Sequence, residues 1–201
     1  MTLPLAKFGL TVCAIEPNDA MRQNGIKRTS DFESVTWYEG VGEHTGQPDD
    51  KFDLVTFGSS FNVCNRNEAL EEAQRILKPG GWFTCLWNHR DLTDEIQKKI
   101  ENIIKSYAEK YDYGTRREDQ TEIIKNSGRF TNISTFTERV EHRILTEDII
   151  AGWRSHGTLA RQVGDNFAAV IDEIAEYLRG LGQDSIIVPY ETRVYMAQVI
   201  K

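Results

Sequence analysis

The first half of the chain alternates short apolar runs with amphipathic or polar segments. Four of the runs predict β-strands, because each is almost continuously apolar and is bounded by turn residues. The strands cover residues 10–15, 35–38, 52–57 and 82–87, and the helices around them cover residues 3–8, 20–27 and 68–77. Strands that alternate with helices indicate βαβ units, and hence an α/β fold with a doubly wound, mostly parallel sheet.

From residue 92 onward the hydrophobic period becomes helical. Two long amphipathic segments, residues 92–111 and 163–181, carry apolar side chains three and four positions apart. Their apolar faces predict packing in a core or beneath a lid, with an exposed partner surface as the alternative. Residues 133–144 and 186–200 predict two further strands, and the polar residues 112–120 predict a mobile loop.

Composition narrows the class of protein. With 201 residues, 39% hydrophobic and 27% charged, the chain fits one globular domain, residues 1–201. A net charge of −7 argues against a general affinity for nucleic acid, and no apolar stretch is long enough to span a membrane. Because Cys13, Cys64 and Cys85 form neither a metal-ligand pair nor a disulfide framework, we expect reduced thiols, no bound metal and a cytoplasmic location. Nothing in the sequence sets the oligomeric state.

Candidate ligand contacts directly follow the strands, since ligands of open α/β sheets bind beyond the carboxyl ends of the strands. Glu16 follows the first strand, where a carboxylate either accepts hydrogen bonds from ribose hydroxyls or stabilises a helix start. Gly42 and Glu43 follow the second strand, and Gly58 and Ser59 follow the third. Small residues at these points allow close approach of a ligand, or simply make a tight turn.

Several motifs in fixed order resemble the class I S-adenosylmethionine-dependent methyltransferases. They are Glu16-Pro-Asn18, the segment from Glu39 to Val55, and Arg75-Ile-Leu-Lys-Pro-Gly-Gly81. Two more, Leu86-Trp-Asn-His-Arg-Asp91 and Arg154-Ser-His-Gly-Thr158, are similar to segments of the small-molecule branch of that superfamily. The resemblance covers nearly the whole chain.

This resemblance implies a Rossmann-like, seven-stranded sheet in the spatial order 3-2-1-4-5-7-6, ending in a C-terminal antiparallel hairpin. Residues 1–91 would form the cofactor-binding half of the domain. Residues 92–182 would form a mostly helical lid and acceptor region with one strand, and residues 183–201 the final strand.

The resemblance also implies a binding site for S-adenosylmethionine. Glu16 would hold the ribose, Pro17 and Met21 would border the adenine, and Gly42 and Glu43 would lie at its polar edge.

The methionine portion of the cofactor would lie beside the turn after the third strand. There Gly58 and Ser59 would approach it through backbone groups, with Phe61 and Asn62 near the transferable methyl group. Relatives often have an aromatic residue or a histidine at the Asn62–Val63 position, and Asn62 is a candidate catalytic residue there.

A neutral acceptor must lose a proton on methyl transfer, and histidine is the usual base because its unperturbed pKa is about 6.5. Among four histidines, His156 is the first candidate because its segment is expected to face the acceptor; lining the pocket is its alternative role. His89 follows the fourth strand, whereas His44 and His142 are interpreted as solvated surface residues.

The acceptor itself is predicted to contact three more residues. The resemblance places Trp87 and Asn88 beside it. Arg154 would either hold an acidic acceptor through a bidentate contact or brace the lid.

The glycine-rich turn that follows the superfamily's first strand is not found in this sequence. In relatives an apolar strand, an acidic residue and Gly-x-Gly-x-Gly precede a helix resembling residues 2–9. We therefore expect further residues upstream of Met1 in the natural protein, two unpaired strand edges beside residues 10–15 and 52–57, and weak cofactor binding by these 201 residues alone.

The predicted function is transfer of a methyl group from S-adenosylmethionine to an oxygen or nitrogen nucleophile of a small molecule. The alternatives are a methyltransferase-like binding module without activity, and an NAD(P)-dependent oxidoreductase in which Glu16 also serves a ribose. Leu77-Lys-Pro-Gly-Gly81 argues against the oxidoreductase, as does the lack of a Gly-x-Gly-x-x-Gly motif. The acceptor cannot be predicted, because pocket shape rather than fold selects it.

Overall fold

The computed structural model describes residues 1–201 and has an α/β architecture with six strands and eight helices, besides three short 3-10 turns. In chain order the helices and strands are α1 Thr2–Lys7, β1 Val12–Ile15, α2 Asp19–Arg28, β2 Val35–Tyr38, β3 Phe52–Gly58, α3 Arg66–Ile76, β4 Leu77–Arg90, α4 Glu95–Tyr107, α5 Thr121–Asn126, β5 Phe130–Leu145, α6 Thr146–Arg154, α7 Gly157–Val163, α8 Phe167–Gly180 and β6 Ser185–Val199. No helix is both long and apolar enough to cross a membrane.

The strands form two sheets, a two-stranded one in the order β1-β2 and a four-stranded one in the order β3-β4-β6-β5. Pairing is parallel between β1 and β2, from Val12 opposite Val35 to Ile15 opposite Tyr38. It is also parallel between β3 and β4. The expected single seven-stranded sheet is therefore corrected to six strands in two sheets.

The break between the sheets falls where the sequence predicts two unpaired edges. Strand β1 pairs only with β2, and β3 pairs only with β4. The observed orders, β2-β1 and β3-β4-β6-β5, equal the expected order 3-2-1-4-5-7-6 with its central member left out. Two strand edges in the middle of the expected sheet thus lack a hydrogen-bonded neighbour.

Backbone contacts divide the chain into two compact units. Unit 1 comprises Met1–Leu86, Asp119–Phe136 and Val194–Lys201, and unit 2 comprises Trp87–Glu118 and Thr137–Arg193. The expectation of one domain over residues 1–201 stays a prediction.

An aromatic cluster fills part of the core of unit 1. The Phe61 ring is inaccessible to solvent and lies 5.4 Å from the rings of both Phe57 and Phe83, edge-on to each. Phe130 packs on Phe83 at 5.3 Å. Edge-to-face aromatic pairs stabilise a fold beyond the contribution of their buried area. This cluster therefore fixes the turn after β3 against the sheet.

A charged network, here called the Glu72 network, ties the loop before β3 to helix α3. The Glu72 carboxylate accepts hydrogen bonds from the Thr45 amide at 2.8 Å and from Arg75 Nε at 2.8 Å. Arg75 also pairs with Asp49 at 2.5 Å and donates to the Gln47 carbonyl at 2.7 Å. Burial alone would raise the pKa of Glu72, but the bonds from Arg75 and Thr45 lower it to about 2. Arg75 of the Arg75–Gly81 motif is thus a structural residue.

Unit 2 has its own apolar core, built from helices α4, α6, α7 and α8. Ile104, Ile150, Leu159, Ile174 and Leu178 are among its fully buried members. The predicted core packing of the two amphipathic segments is confirmed.

Among the element boundaries that differ from the sequence prediction, two have local reasons. Strand β1 begins at Val12, because the Leu10 amide donates to the Leu5 carbonyl at 3.2 Å and so belongs to the end of α1. Gly9 has φ +80°, the left-handed helix end that the sequence predicts. The segment 163–181 is not one helix, since Gly164 at φ +55° separates α7 from α8.

Candidate active site

Glu16 lies directly after β1, where its carboxylate is held by the turn into α2. The Asn18 amide donates to Glu16 Oε1 at 2.9 Å, and Asn18 Oδ1 in turn accepts from the Met21 amide at 3.0 Å. Arg22 donates to the Glu16 carbonyl at 2.9 Å. Glu16 is half-buried, whereas Pro17 is exposed and Met21 is 62% exposed. The segment therefore presents a fixed carboxylate and an exposed thioether side by side.

Gly42 and Glu43 make contacts that explain their residue types without a ligand. A Cβ on Gly42 would lie 2.7 Å from the Phe57 ring and 2.9 Å from Cys64 Sγ, so only glycine fits. Glu43 Oε1 accepts from the Asn65 amide at 2.6 Å, just before α3. Burial, followed by the Glu43 charge, raises the pKa of the Cys64 thiol to about 11. The role of Gly42 and Glu43 beside an adenine stays a prediction.

Ser59 is in a strained backbone conformation at the carboxyl end of β3. Its φ is +58°, the left-handed region that residues other than glycine, asparagine and aspartate rarely adopt. Its amide donates to the Leu86 carbonyl of β4 at 2.8 Å. A Cβ on the preceding Gly58 would lie 3.1 Å from Met1 Cβ. Such strain clusters at ligand sites, and it falls where the methionine portion is predicted.

Phe61 and Asn62 lie in a 3-10 turn between β3 and α3. The Phe61 side chain is buried in the aromatic core. Its contact with a cofactor stays a prediction. Asn62 is half-buried and has a bonding partner within the protein.

The acceptor candidates belong to unit 2. Trp87 is buried in β4, and Asn88 is exposed with its Oδ1 accepting from Thr192 Oγ1 at 2.9 Å. Arg154 is the exposed last residue of α6, and its charge helps to lower the pKa of Glu147 after that of Arg179. This exposure is compatible with either of the two roles predicted for Arg154.

His156 caps the amino end of α7. Its Nδ1 accepts from the Leu159 amide at 3.1 Å, and its ring stacks on Trp153 with 5.2 Å between centres. Burial, followed by the charges of Arg90 and Arg116, lowers the pKa of His156. Because Nδ1 is an acceptor, the neutral ring carries its proton on Nε2. Nε2–H is therefore the hydrogen-bond donor of the ring, and the role of His156 as a base stays a prediction.

The other histidines differ from one another in burial. His44 and His142 are exposed, in agreement with the sequence interpretation. His89 is buried within β4, and burial together with nearby arginines lowers its pKa to about 4. His89 is therefore neutral at physiological pH.

Sequence reasoning missed a group of arginines around the end of β4: Arg90, Arg116 and Arg117. All three are half-buried in unit 2. The signal available was the pair Arg116-Arg117 in a polar segment, which predicted a mobile loop. The pair closes a short 3-10 turn, Gly114–Arg117, and the mobility of the segment stays a prediction.

Residues 1–85 match a family model described as methyltransferase domain. The chain is similar to the ubiquinone/menaquinone biosynthesis C-methyltransferase UbiE of Zymomonas mobilis subsp. mobilis, with 30% identity over 151 residues, 68% of this chain and 59% of the relative. The chain thus spans little more than half the length of this curated relative.

Solved structures of methyltransferases resemble this chain in fold. A protein described as a type II methyltransferase of Anaeromyxobacter dehalogenans superposes with a TM-score of 0.68 and 16% identity, over 99% of this chain and 85% of that one. The phosphoethanolamine N-methyltransferase 2 of Haemonchus contortus, solved with S-adenosylhomocysteine, gives a TM-score of 0.52 and 15% identity, over 100% of this chain and 46% of that one. The predicted Rossmann-like methyltransferase fold is confirmed for this chain, and its residues 1–85 match the methyltransferase-domain model.

Proposed function

We propose that this protein transfers a methyl group from S-adenosylmethionine to a small-molecule acceptor. The observation that carries the proposal is the methyltransferase-domain match over residues 1–85, a range that includes every predicted cofactor contact. The three free cysteines support a cytoplasmic location, and the net charge of −7 supports a partner other than nucleic acid.

The residues at the ends of β1 and β3 fit the cofactor in chemical type. Glu16 supplies a carboxylate for the two ribose hydroxyls, held in place by the Asn18 amide. The exposed side chain of Met21 supplies an apolar surface for the adenine. The left-handed turn at Ser59 allows backbone groups to face the methionine portion. Bound here, the cofactor supplies an electrophilic methyl group on a sulfonium.

The protein's own part in the reaction is mainly alignment. Holding two reacting groups in line contributes roughly 7–11 kcal/mol in favourable intramolecular cases. His156 Nε2 is the donor that would orient an acceptor oxygen or nitrogen, while Nδ1 remains bound to the Leu159 amide. Trp87 and Asn88 would complete the acceptor contacts.

The acceptor atom belongs to the proposal as well. The sequence favours an oxygen or nitrogen nucleophile, whereas the Zymomonas relative is named as a C-methyltransferase. Mass spectrometry of the methylated product distinguishes these cases, because only a methyl group on carbon survives hydrolysis of esters and ethers or removal of N-methyl groups.

Saturation-transfer NMR tests the cofactor site and detects the weak binding expected of this chain. S-adenosylmethionine should receive saturation at its adenine and ribose protons, and NADH at equal concentration should receive none. Glu16→Gln removes the negative charge that holds the ribose, so we expect at least a tenfold loss of affinity, about 1.4 kcal/mol.

Asp19→Asn is the matched control for Glu16→Gln. It makes the same change of charge one turn away, at an exposed side chain that pairs with Arg22, and should leave cofactor binding unchanged. Equal weakening by both variants would contradict the assignment of Glu16, and NADH binding at the expense of S-adenosylmethionine would favour the oxidoreductase. Cofactor binding without turnover of any acceptor would favour the inactive binding module.

A further inference from the structure

Three arginines of unit 2 meet at the end of β4 and are here called the arginine cluster: Arg90, Arg116 and Arg117. Arg90 is the last residue of β4, and the other two close the 3-10 turn. Arg116 Nη2 lies 3.4 Å from the Asn88 carbonyl oxygen, and Arg117 Nη2 donates to the Arg90 carbonyl oxygen at 3.1 Å. The backbone of one strand end therefore holds two guanidinium groups beside a third.

Two acids near this cluster, Glu191 and Glu101, are already engaged with other groups. Glu191 pairs with Arg193 at 2.9 Å. Glu101 accepts a hydrogen bond from the Tyr113 hydroxyl and pairs with Lys105 at 3.2 Å. The hydrogen bonds of Arg116 and Arg117 go instead to backbone carbonyls, which carry no net charge. Neither guanidinium group therefore has a carboxylate partner.

Burial makes this imbalance costly. The Nε atoms of Arg116 and Arg117 are shielded from solvent and have no hydrogen-bond partner. Burial, followed by the positive charges of Arg90 and Arg117, lowers the pKa of Arg116. Buried like charges with unused donors destabilise a protein unless a counter-charge is present. An incoming anion would satisfy both the charge and the donors.

The side chains around the cluster are donors as well. The Arg90 guanidinium lies 4.1 Å from the centre of the Trp153 ring, whose Nε1 is buried without a partner. The Tyr111 hydroxyl is also buried without a partner, and burial raises its pKa to about 12, so it keeps its proton. His156, stacked on Trp153, carries a proton on Nε2. Such a set of donors matches a group that only accepts.

We propose that the arginine cluster binds an oxyanion group, a carboxylate or a phosphate, carried by the small-molecule acceptor. Guanidinium groups recognise both anions through paired N–H donors, which lysine cannot reproduce. An open depression of about 550 Å³ gives a small molecule access to this part of unit 2, and Arg117 is the member of the cluster that lines it, beside Tyr111 and Tyr113. The acids Glu101, Asp112 and Glu118 line it as well. The assignment of the anion to the acceptor rests on the proposed methyltransferase function, whereas the anion site itself does not.

Anion titrations on the whole chain test the site without any methyl transfer. Inorganic phosphate and malonate are added separately near neutral pH, with sodium chloride keeping the ionic strength constant, and binding is followed by calorimetry and by the melting temperature. We expect saturable binding of at least one of the two anions. A preference for phosphate indicates a phosphate ester as acceptor, and a preference for malonate indicates a carboxylic acid.

Variants then locate the binding. Arg116→Met and Arg117→Met should each weaken the preferred anion at least tenfold. Arg143→Met is the matched control: it removes the same charge from an exposed arginine of unit 2 that bonds Ser185, and should leave the affinity unchanged. Arg116→Lys keeps the charge but loses the paired donors, so its anion affinity should lie between those of wild type and Arg116→Met. If Arg116→Met does not fold, Arg116→Lys replaces it in the test.

Two results would overturn the anion site: no saturable binding of either anion, or equal weakening by the Arg116, Arg117 and Arg143 variants. These results are distinguishable from failure of the proposed function. If the chain binds anions at the cluster but gives no saturation transfer to S-adenosylmethionine, the anion site stands and the methyltransferase proposal fails. If it binds S-adenosylmethionine but neither anion, the reverse holds.

Discussion

The Glu72 network of unit 1 and the arginine cluster of unit 2 are both partly buried groups of charged side chains, and they are built in opposite ways. In the first, the guanidinium of Arg75 is matched by the carboxylates of Glu72 and Asp49. In the second, the guanidinium groups of Arg116 and Arg117 bond only backbone carbonyls, and their Nε atoms are unused. A balanced network is complete as it stands and holds the fold together. An unbalanced one carries a cost that a ligand can remove.

The largest effect should come from breaking the balanced network. Glu72→Ala removes the acceptor of the Thr45 amide and one of the two carboxylates that pair with Arg75, so we expect the free energy of unfolding to fall by about 3 kcal/mol. Urea denaturation followed by tryptophan fluorescence measures it. Glu71→Ala is the control, since Glu71 pairs with Arg129 at the surface and should cost less than about 1 kcal/mol. Similar losses for both variants would show that burial adds nothing at Glu72.

The second effect separates the two regions by pH. His89 faces Arg117, Arg116, Arg193 and Glu191, and its folded pKa of about 4 lies below the usual 6.5. As the pH falls from 6.5 to 4, His89 becomes protonated in the unfolded chain but stays neutral in the folded chain. Stability should therefore fall through this window, by roughly 2 kcal/mol.

Glu72 should act over a lower range of pH than His89. Its pKa is lowered by favourable bonds from Arg75 and Thr45, whereas the pKa of His89 is lowered by burial and by repulsion from arginines. For Glu72, the folded pKa of about 2 lies below the usual 4.5, so its contribution is complete above pH 4.5 and is lost as the pH falls towards 2. Urea midpoints of wild type, His89→Asn and Glu72→Gln at a series of pH values check both. His89→Asn should remove the loss of stability between pH 6.5 and 4 only, and Glu72→Gln the loss between pH 4.5 and 2 only. If both variants changed the stability over the same range of pH, the comparison would be contradicted.

The smallest effect should have the opposite direction. Arg116→Met removes a charge that Arg90 and Arg117 repel, and keeps most of the apolar stem, so we expect the ligand-free protein to gain up to about 1 kcal/mol. The melting temperature without anions gives the answer. If Arg116→Met instead lost more than about 1 kcal/mol, the cluster would be a structural element like the Glu72 network.

The sequence predicts the strands well wherever the apolar run itself defines the element. Strand β2 has the predicted bounds, because Val35–Tyr38 is bounded by polar residues on both sides. Helix α5, Thr121–Asn126, was not predicted, since six residues show too little periodicity. The two-sheet arrangement agrees with the two unpaired strand edges that the sequence predicts.

The candidate site is predictable only where its residues follow strands directly. Glu16 and Ser59 lie at such points, so the order of elements indicates them. Arg90 and Arg116 are far apart in the sequence, and only the turn bonded to the Asn88 carbonyl brings them together. The polar composition of residues 112–120 therefore does not indicate that Arg116 and Arg117 are half-buried.

The unpaired edges of β1 and β3 have a consequence for exchange with deuterated solvent. The Val12 and Glu16 amides donate towards β2, at 2.8 Å and 3.1 Å. Because successive amides of a strand point to opposite edges, those of Cys13 and Ile15 point to the edge that has no partner strand. Along β1, protection from exchange should therefore alternate residue by residue, and slow exchange at Cys13 and Ile15 would report that a strand has come to lie against them.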